Sequence, residues 1–144
     1  YYDFSNEVGD AQMLALGEAT RDAILASGKR AILIASNSLS HRHFTEEPAI
    51  PEDMQYEHVY HHGQYLWDMK VLNLMREGKC QELINIMPDF IDHSVSECKE
   101  GSLTWLLGAL GMPTYPADVY AYGSVIGTGN ALVEWDPSLE GGAE

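Results

Sequence analysis

The sequence predicts an α/β fold with a mixed sheet flanked by helices. Three observations carry that expectation. Ala31-Ile32-Leu33-Ile34-Ala35-Ser36-Asn37 is a short, continuously apolar run, the pattern of a strand buried on both faces. Segments with helical periodicity lie on either side of it. Towards the carboxyl end, residues 119–125 alternate aromatic and small side chains, and residues 131–135 follow after Gly127-Thr128-Gly129-Asn130. That is the pattern of two strands joined by a turn. The order helix, strand, helices, strand, strand argues for α/β.

Residues 10–27 read as the first helix. Met13, Leu16, Thr20, Ala23 and Ser27 are spaced along one face, widened by Leu14 and Ile24. Gly28 is its stop signal. A polar loop, Ser38 to Pro48, begins where the carboxyl end of the apolar strand should lie. Ligands of open α/β sheets bind outside that end. An irregular excursion is expected through Pro51-Glu52-Asp53-Met54. Helical character resumes near His61 and runs to about Glu77, with Trp67, Val71, Leu74 and Met75 on one side and Gly78 to end it. Residues 81–87 predict a short helix ending before Pro88. Asp89 then reads as the N-cap of a long helix reaching towards Leu110, with Gly111 and Pro113 beyond. Gly101 inside that helix costs about 1 kcal/mol against Ala, so a close contact or kink is expected there. After Pro137 the tail is rich in Gly and Glu and should fray.

The 144 residues, 16.0 kDa, are the size of one ordinary domain. Hydrophobic residues at 45% and charged residues at 21% exclude wholesale disorder. Eight Lys and Arg against 22 Asp and Glu give a net charge of −14 and a pI near 4.6. So acidic a chain repels phosphate backbones and anionic lipid, so neither nucleic acid nor membrane is an expected partner. No apolar run approaches the roughly 18 residues of a membrane span. The start, Tyr1-Tyr2-Asp3-Phe4-Ser5, has no basic or apolar leader pattern and no initiator Met. A processed or partial cytoplasmic chain is therefore expected, with Cys80 and Cys98 as two reduced thiols.

Of the six histidines, His41 is singled out by position. It follows the apolar strand in Ser38-Leu39-Ser40-His41, where a side chain points over the sheet's carboxyl edge. Imidazole titrates near physiological pH and suits proton transfer. His58, His61 and His62 read as polar surface residues, and their spacing fits no standard metal site. His93 is placed near a helix N-terminus, a poor site for a cation. HExxH, P-loop and GxSxG motifs are absent from the sequence. Gly123 to Gly129 is glycine-rich but precedes a strand, so it is no phosphate cradle.

Ala35-Ser36-Asn37-Ser38-Leu39-Ser40-His41-Arg42-His43-Phe44-Thr45-Glu46-Glu47-Pro48 resembles the class III extradiol ring-cleavage dioxygenases. Gln64-Tyr65-Leu66-Trp67-Asp68-Met69, Gly101-Ser102-Leu103-Thr104-Trp105 and Val125-Ile126-Gly127-Thr128-Gly129-Asn130-Ala131 extend the resemblance over nearly the whole chain. It implies an Fe(II) enzyme that inserts both atoms of O₂ into 2-aminophenol or a related catechol. It also implies pairing with a related α subunit. In that family two histidines and one glutamate hold the iron, leaving open positions for O₂ and substrate. The resemblance maps the glutamate to Glu97 and the proton-handling histidine to His41, with Glu100, one helical turn on, as the competing ligand. The family's two iron-binding histidines lie in its first half, and none of the six histidines here occupies a matching motif. Residues 1–144 therefore read as the C-terminal part of a single dioxygenase domain. The alternative is a non-catalytic partner subunit that lacks a complete iron site. A weaker one is an independent metal module using His58, His61 and His62.

Overall fold

A computed structural model describes residues 9–44 and 58–139. Helix α1 spans Asp10–Ser27 and ends on Gly28, whose φ of 64° is the left-handed cap expected of glycine. Its inward face keeps Met13, Leu14, Thr20 and Ile24 of the expected one but departs from it at Leu16 and Gly17. Leu16 is 54% exposed, while Gly17 is buried and Leu14 and Thr20 are half-buried. The reason is a close helix crossing. Helix α4, Gly101–Ala109, runs against α1 so tightly that a Cβ on Gly17 would meet the Ala109 nitrogen at 2.6 Å. The Trp105 indole N–H donates to Thr20 Oγ1 at 3.1 Å across the same contact.

Helix α2, His62–Arg76, follows the expected course and buries Val71, Leu72, Leu74 and Met75. Helix α3, Cys80–Ser94, corrects the expectation of two elements divided at Pro88. Pro88 lies inside it. The missing amide costs about 3 kcal/mol in a helix interior. Leu83, Met87 and Phe90 are each 0% exposed on the same helix, and burial at roughly 1.5–3 kcal/mol per side chain outweighs that cost. His93 consequently lies in the last turn of α3 rather than near a helix start. Its Nδ1 bonds to the Asp89 carbonyl at 2.7 Å and its ring stacks on Trp67.

The expected long helix from Asp89 to Leu110 is broken. Val95 takes a φ of 50°, a short 3₁₀ turn spans Glu97–Glu100, and α4 starts at Gly101. The kink anticipated at Gly101 thus falls just ahead of it.

Strand β1, Asp118–Val125, pairs antiparallel with β2, Thr128–Glu134. The ladder is bulged between Val119 and Ala121. The turn is Ile126-Gly127, both at positive φ, as a two-residue hairpin turn of this hand requires. The shared core joins α2, α3 and α4 to this hairpin through Tyr115, Ala117 and Trp135.

The expected strand at residues 31–37 is not formed. Ile32 is 90% exposed and Ile34 77% exposed. A strand needs a neighbour for its backbone N–H and C=O groups, and the two-stranded sheet is the only one among the described residues. The larger mixed sheet is thus not found there. Ser38, Leu39 and Ser40 do become buried, because the chain then docks on β2: Leu39 N–H donates to Gly129 O at 2.8 Å and Gly129 N–H to Ser40 O at 2.9 Å. No helix of the described residues is long and apolar enough to cross a membrane. Cys80 and Cys98 form no disulfide. The excursion around Pro51 and the Gly- and Glu-rich end of the tail lie outside the described residues.

Candidate active site

His41 and Glu97 are far apart in sequence and the fold brings their segments together. Residues 38–41 are fastened to residues 94–97 at two points. Ser38 donates to Glu97 Oε2 through its backbone N–H at 2.7 Å and its hydroxyl at 3.0 Å. At the other end the His41 N–H donates to Ser94 O at 3.2 Å. Both bonds to Glu97 fall on one oxygen.

The backbone around the acidic pair is unusual. Val95, Cys98, Lys99 and Glu100 all take φ between 48° and 54°. Non-glycine residues pay about 1–2 kcal/mol each in that region, and such strain clusters at functional sites. The left-handed turn sends Glu97 to Ser38 and turns Glu100 inward. Glu100 is 0% exposed. Its Oε2 accepts from the Asn37 amide, Ser102 donates to the Asn37 carbonyl oxygen, and Glu100 Oε1 has no hydrogen-bond partner. Burial holds the Glu100 carboxyl well above the usual carboxylate range.

His41 is half-buried and His43 exposed. Their Nε2 atoms lie 3.3 Å apart with the rings edge to face. One ring donates and the other accepts. Arg42 lies over the Tyr60 ring at 4.2 Å, and Phe44 contacts both Tyr60 and His58. The hairpin turn anchors this aromatic group, since Phe44 N–H donates to Ile126 O and Tyr60 N–H to Gly127 O. Gly127 is required there twice over: its φ is 96°, and a Cβ would stand 2.6 Å from the Arg42 carbonyl.

Beneath His41 lies a residue that sequence reasoning missed. Asp68, on α2, is 0% exposed. Its Oδ1 accepts the Ser40 N–H at 3.0 Å, and its Oδ2 accepts the Ser40 hydroxyl at 2.8 Å and the Tyr122 hydroxyl at 2.7 Å. Burial raises the Asp68 carboxyl above its ordinary range, while these bonds pull it back. Burial and the Asp68 bond also push the Tyr122 phenol upward. A signal was present: Gln64, Asp68, Val71, Leu72 and Met75 share one stripe of α2, so an acid stands in a row destined for the core. Beyond Tyr122 is a cavity of about 380 Å³, walled by His58, His62, Tyr65 and Tyr122 with Val59, Gly123 and Ser124. Two imidazoles and two phenols suit a flat aromatic ligand.

The histidines of the possible metal module are engaged elsewhere. His61 Nδ1 accepts from Gly63 N–H and caps α2, His62 stacks on Tyr65, and His58 Nδ1 bonds to Val59 O. Among the described residues no three His, Cys, Asp or Glu side chains converge to hold a metal. The glycine-rich segment 123–129 forms the hairpin, but its turn is tighter than expected: Thr128, Gly129 and Asn130 pair in β2 and leave only Ile126-Gly127 to turn.

Residues 6–133 match the family described as the catalytic LigB subunit of aromatic ring-opening dioxygenase, and the chain belongs to that family. It is 51% identical, over 94% of its length, to the 2-aminophenol 1,6-dioxygenase beta subunit of Pseudomonas sp, covering 44% of that protein. It is 30% identical, over 74% of its length, to 3,4-dihydroxyphenylacetate 2,3-dioxygenase of Escherichia coli, covering 37% of it. The chain thus spans less than half the length of these curated relatives.

Proposed function

We propose that residues 1–144 are the C-terminal part of a single extradiol dioxygenase domain. The whole protein would be an Fe(II)-dependent enzyme inserting both atoms of O₂ into 2-aminophenol or a related catechol. The observation that carries this reading is the pairing of residues 38–41 with 94–97, which sets a histidine beside a strained, carboxylate-bearing turn.

The donors present fit one part of an iron site. Glu97 would hold the metal through the oxygen that Ser38 does not engage. Ser38 fixes the carboxylate's orientation with two donors to the other oxygen. Glu100 is the competing ligand, because its Oε1 is buried without a partner. The two histidine ligands would come from sequence outside these 144 residues. When bound, Fe(II) supplies a common site for O₂ and the ring's adjacent amino and hydroxyl groups.

His41 would accept the substrate hydroxyl proton at a ring nitrogen and return a proton as the ring opens. His43 is the neighbour that can hold or supply a proton at His41 Nε2. The Asp68 bonds to Ser40 and the Ser94 bond to His41 fix the backbone that carries the imidazole. The relative's designation as a beta subunit supports assembly with an alpha subunit.

The test is mutagenesis of the native, full-length protein. His41→Ala lowers kcat about 100-fold or more, the scale of lost general acid–base catalysis, with iron content nearly unchanged. Glu97→Ala loses iron. Normal iron in Glu97→Ala, with iron lost in Glu100→Gln, moves the ligand to Glu100. The incomplete donor set favours one second reading, a non-catalytic partner subunit. A native protein with a denatured mass of 16.0 kDa, no second chain and no iron would establish that reading and sink the first.

A further inference from the structure

We propose that Asp68 and Gln64 are positioning residues that hold His41 in its working place from beneath. The proposal rests on the reading of His41 as the proton-transfer group. Both residues lie on the same face of α2, one turn apart, and both are buried, at 0% and 4% exposure. They reach the neighbours of His41 on two sides, Ser40 in the chain and Ser94 across from it.

Asp68 takes the residue before it. Two of its three bonds go to Ser40, one to the backbone N–H and one to the hydroxyl. The Ser40 hydroxyl oxygen in turn accepts the Gly129 N–H at 3.1 Å, so the knot is tied into β2. The Tyr122 hydroxyl supplies the third donor from β1. Gln64 takes the other side: its Nε2 donates at 2.9 Å to Ser94 O. That carbonyl is also the acceptor of the His41 N–H. One helix face thus secures both the residue before His41 and the acceptor that the His41 N–H uses.

No Lys, Arg or His is among the hydrogen-bond partners of Asp68. A buried carboxyl without a cation costs stability, and a fold that needed only packing would place an apolar residue at this point of the stripe. What the acid gives instead is three convergent acceptor bonds that fix direction. An imidazole that must meet a substrate proton at hydrogen-bond distance depends on such direction, and misplacement by about 1 Å can cost on the order of 100-fold in rate.

The experiment is a double-mutant cycle in the iron-loaded, full-length enzyme. Asp68→Asn, Ser40→Ala and Gln64→Leu are each measured alone and in the His41→Ala background, with kcat, KM and bound iron as readouts. Asp68→Asn alone lowers kcat about 10- to 100-fold, with KM and iron within about twofold. In the His41→Ala background it lowers kcat by less than about twofold, because its effect runs through His41. Ser40→Ala keeps the backbone bond and gives a smaller drop of the same epistatic kind; it carries the test if Asp68→Asn does not fold. Equal losses in both backgrounds, or an unchanged kcat, overturn the proposal. A His41→Ala enzyme that keeps the wild-type kcat would instead overturn the reading of His41, and this proposal with it.

Discussion

Gly129→Ala is a small change with a large expected effect. Gly129 lies in β2 directly over the Asp68 carboxyl. A Cβ there would overlap Asp68 Oδ2 and stand 2.8 Å from both Ser40 Oγ and Tyr122 Oη, where ordinary contact begins at 3.4 Å. Those atoms are the two hydroxyl donors of the buried acid and the oxygen that receives them. The methyl group is therefore seated only if both bonds break. Hydrogen bonds to a charged group contribute about 1.5–3 kcal/mol each, so their loss costs roughly 3–6 kcal/mol. Removing glycine's freedom from the unfolded chain returns about 0.4–1 kcal/mol. A net destabilisation of roughly 2–5 kcal/mol follows. Urea unfolding of the full-length protein measures it, with an unchanged slope required for a clean comparison. On the proposed function, ring-cleaving turnover should fall as well, because Ser40 precedes His41. A loss below about 1 kcal/mol with full turnover would refute the reasoning.

Two further perturbations test the physics of this fold. Burial pushes the Cys80 thiol from 9.0 up to about 11. The unfolded chain releases that proton near pH 9 while the folded chain keeps it, so stability from Cys80 is full below pH 9 and lost as pH rises towards 11. The loss amounts to about 2–3 kcal/mol, read as the narrowing gap in unfolding free energy between wild type and Cys80→Ala; a constant gap from pH 8 to 11 contradicts it. Lys99 is exposed and held at φ 48°, so Lys99→Gly relieves left-handed strain and raises stability by about 0.5–1 kcal/mol, measured by thermal unfolding, and a lower Tm counts against strain in the 95–100 turn.

The local signals were legible where local chemistry decides. The first helix ends at Gly28 because only glycine takes the left-handed cap without cost, and the hairpin turns at Gly127 for the same reason. The periodic stripe of α2 specified the burial of Val71, Leu74 and Met75, while the buried Asp68 in the same helix went unread. His41 stood out by following an apolar run into a polar loop.

Three features were decided elsewhere. Helix α3 runs through Pro88 because Leu83, Met87 and Phe90 are buried together, a gain a sequence window cannot see. The break at residues 95–100 carries no Gly or Pro between Val95 and Glu100 to announce it. It is held by partners distant in sequence, Ser38 on Glu97 and Asn37 on Glu100. The run at residues 31–37 has the composition of a buried strand, yet pairing is a property of two segments, and no described strand pairs with it. The sequence by itself determined the helix stop at Gly28, the hairpin and the types of side chain available for chemistry. Tertiary structure alone decided that His41, Glu97 and Asp68 share one neighbourhood, because that depends on backbone hydrogen bonds between segments far apart in the chain.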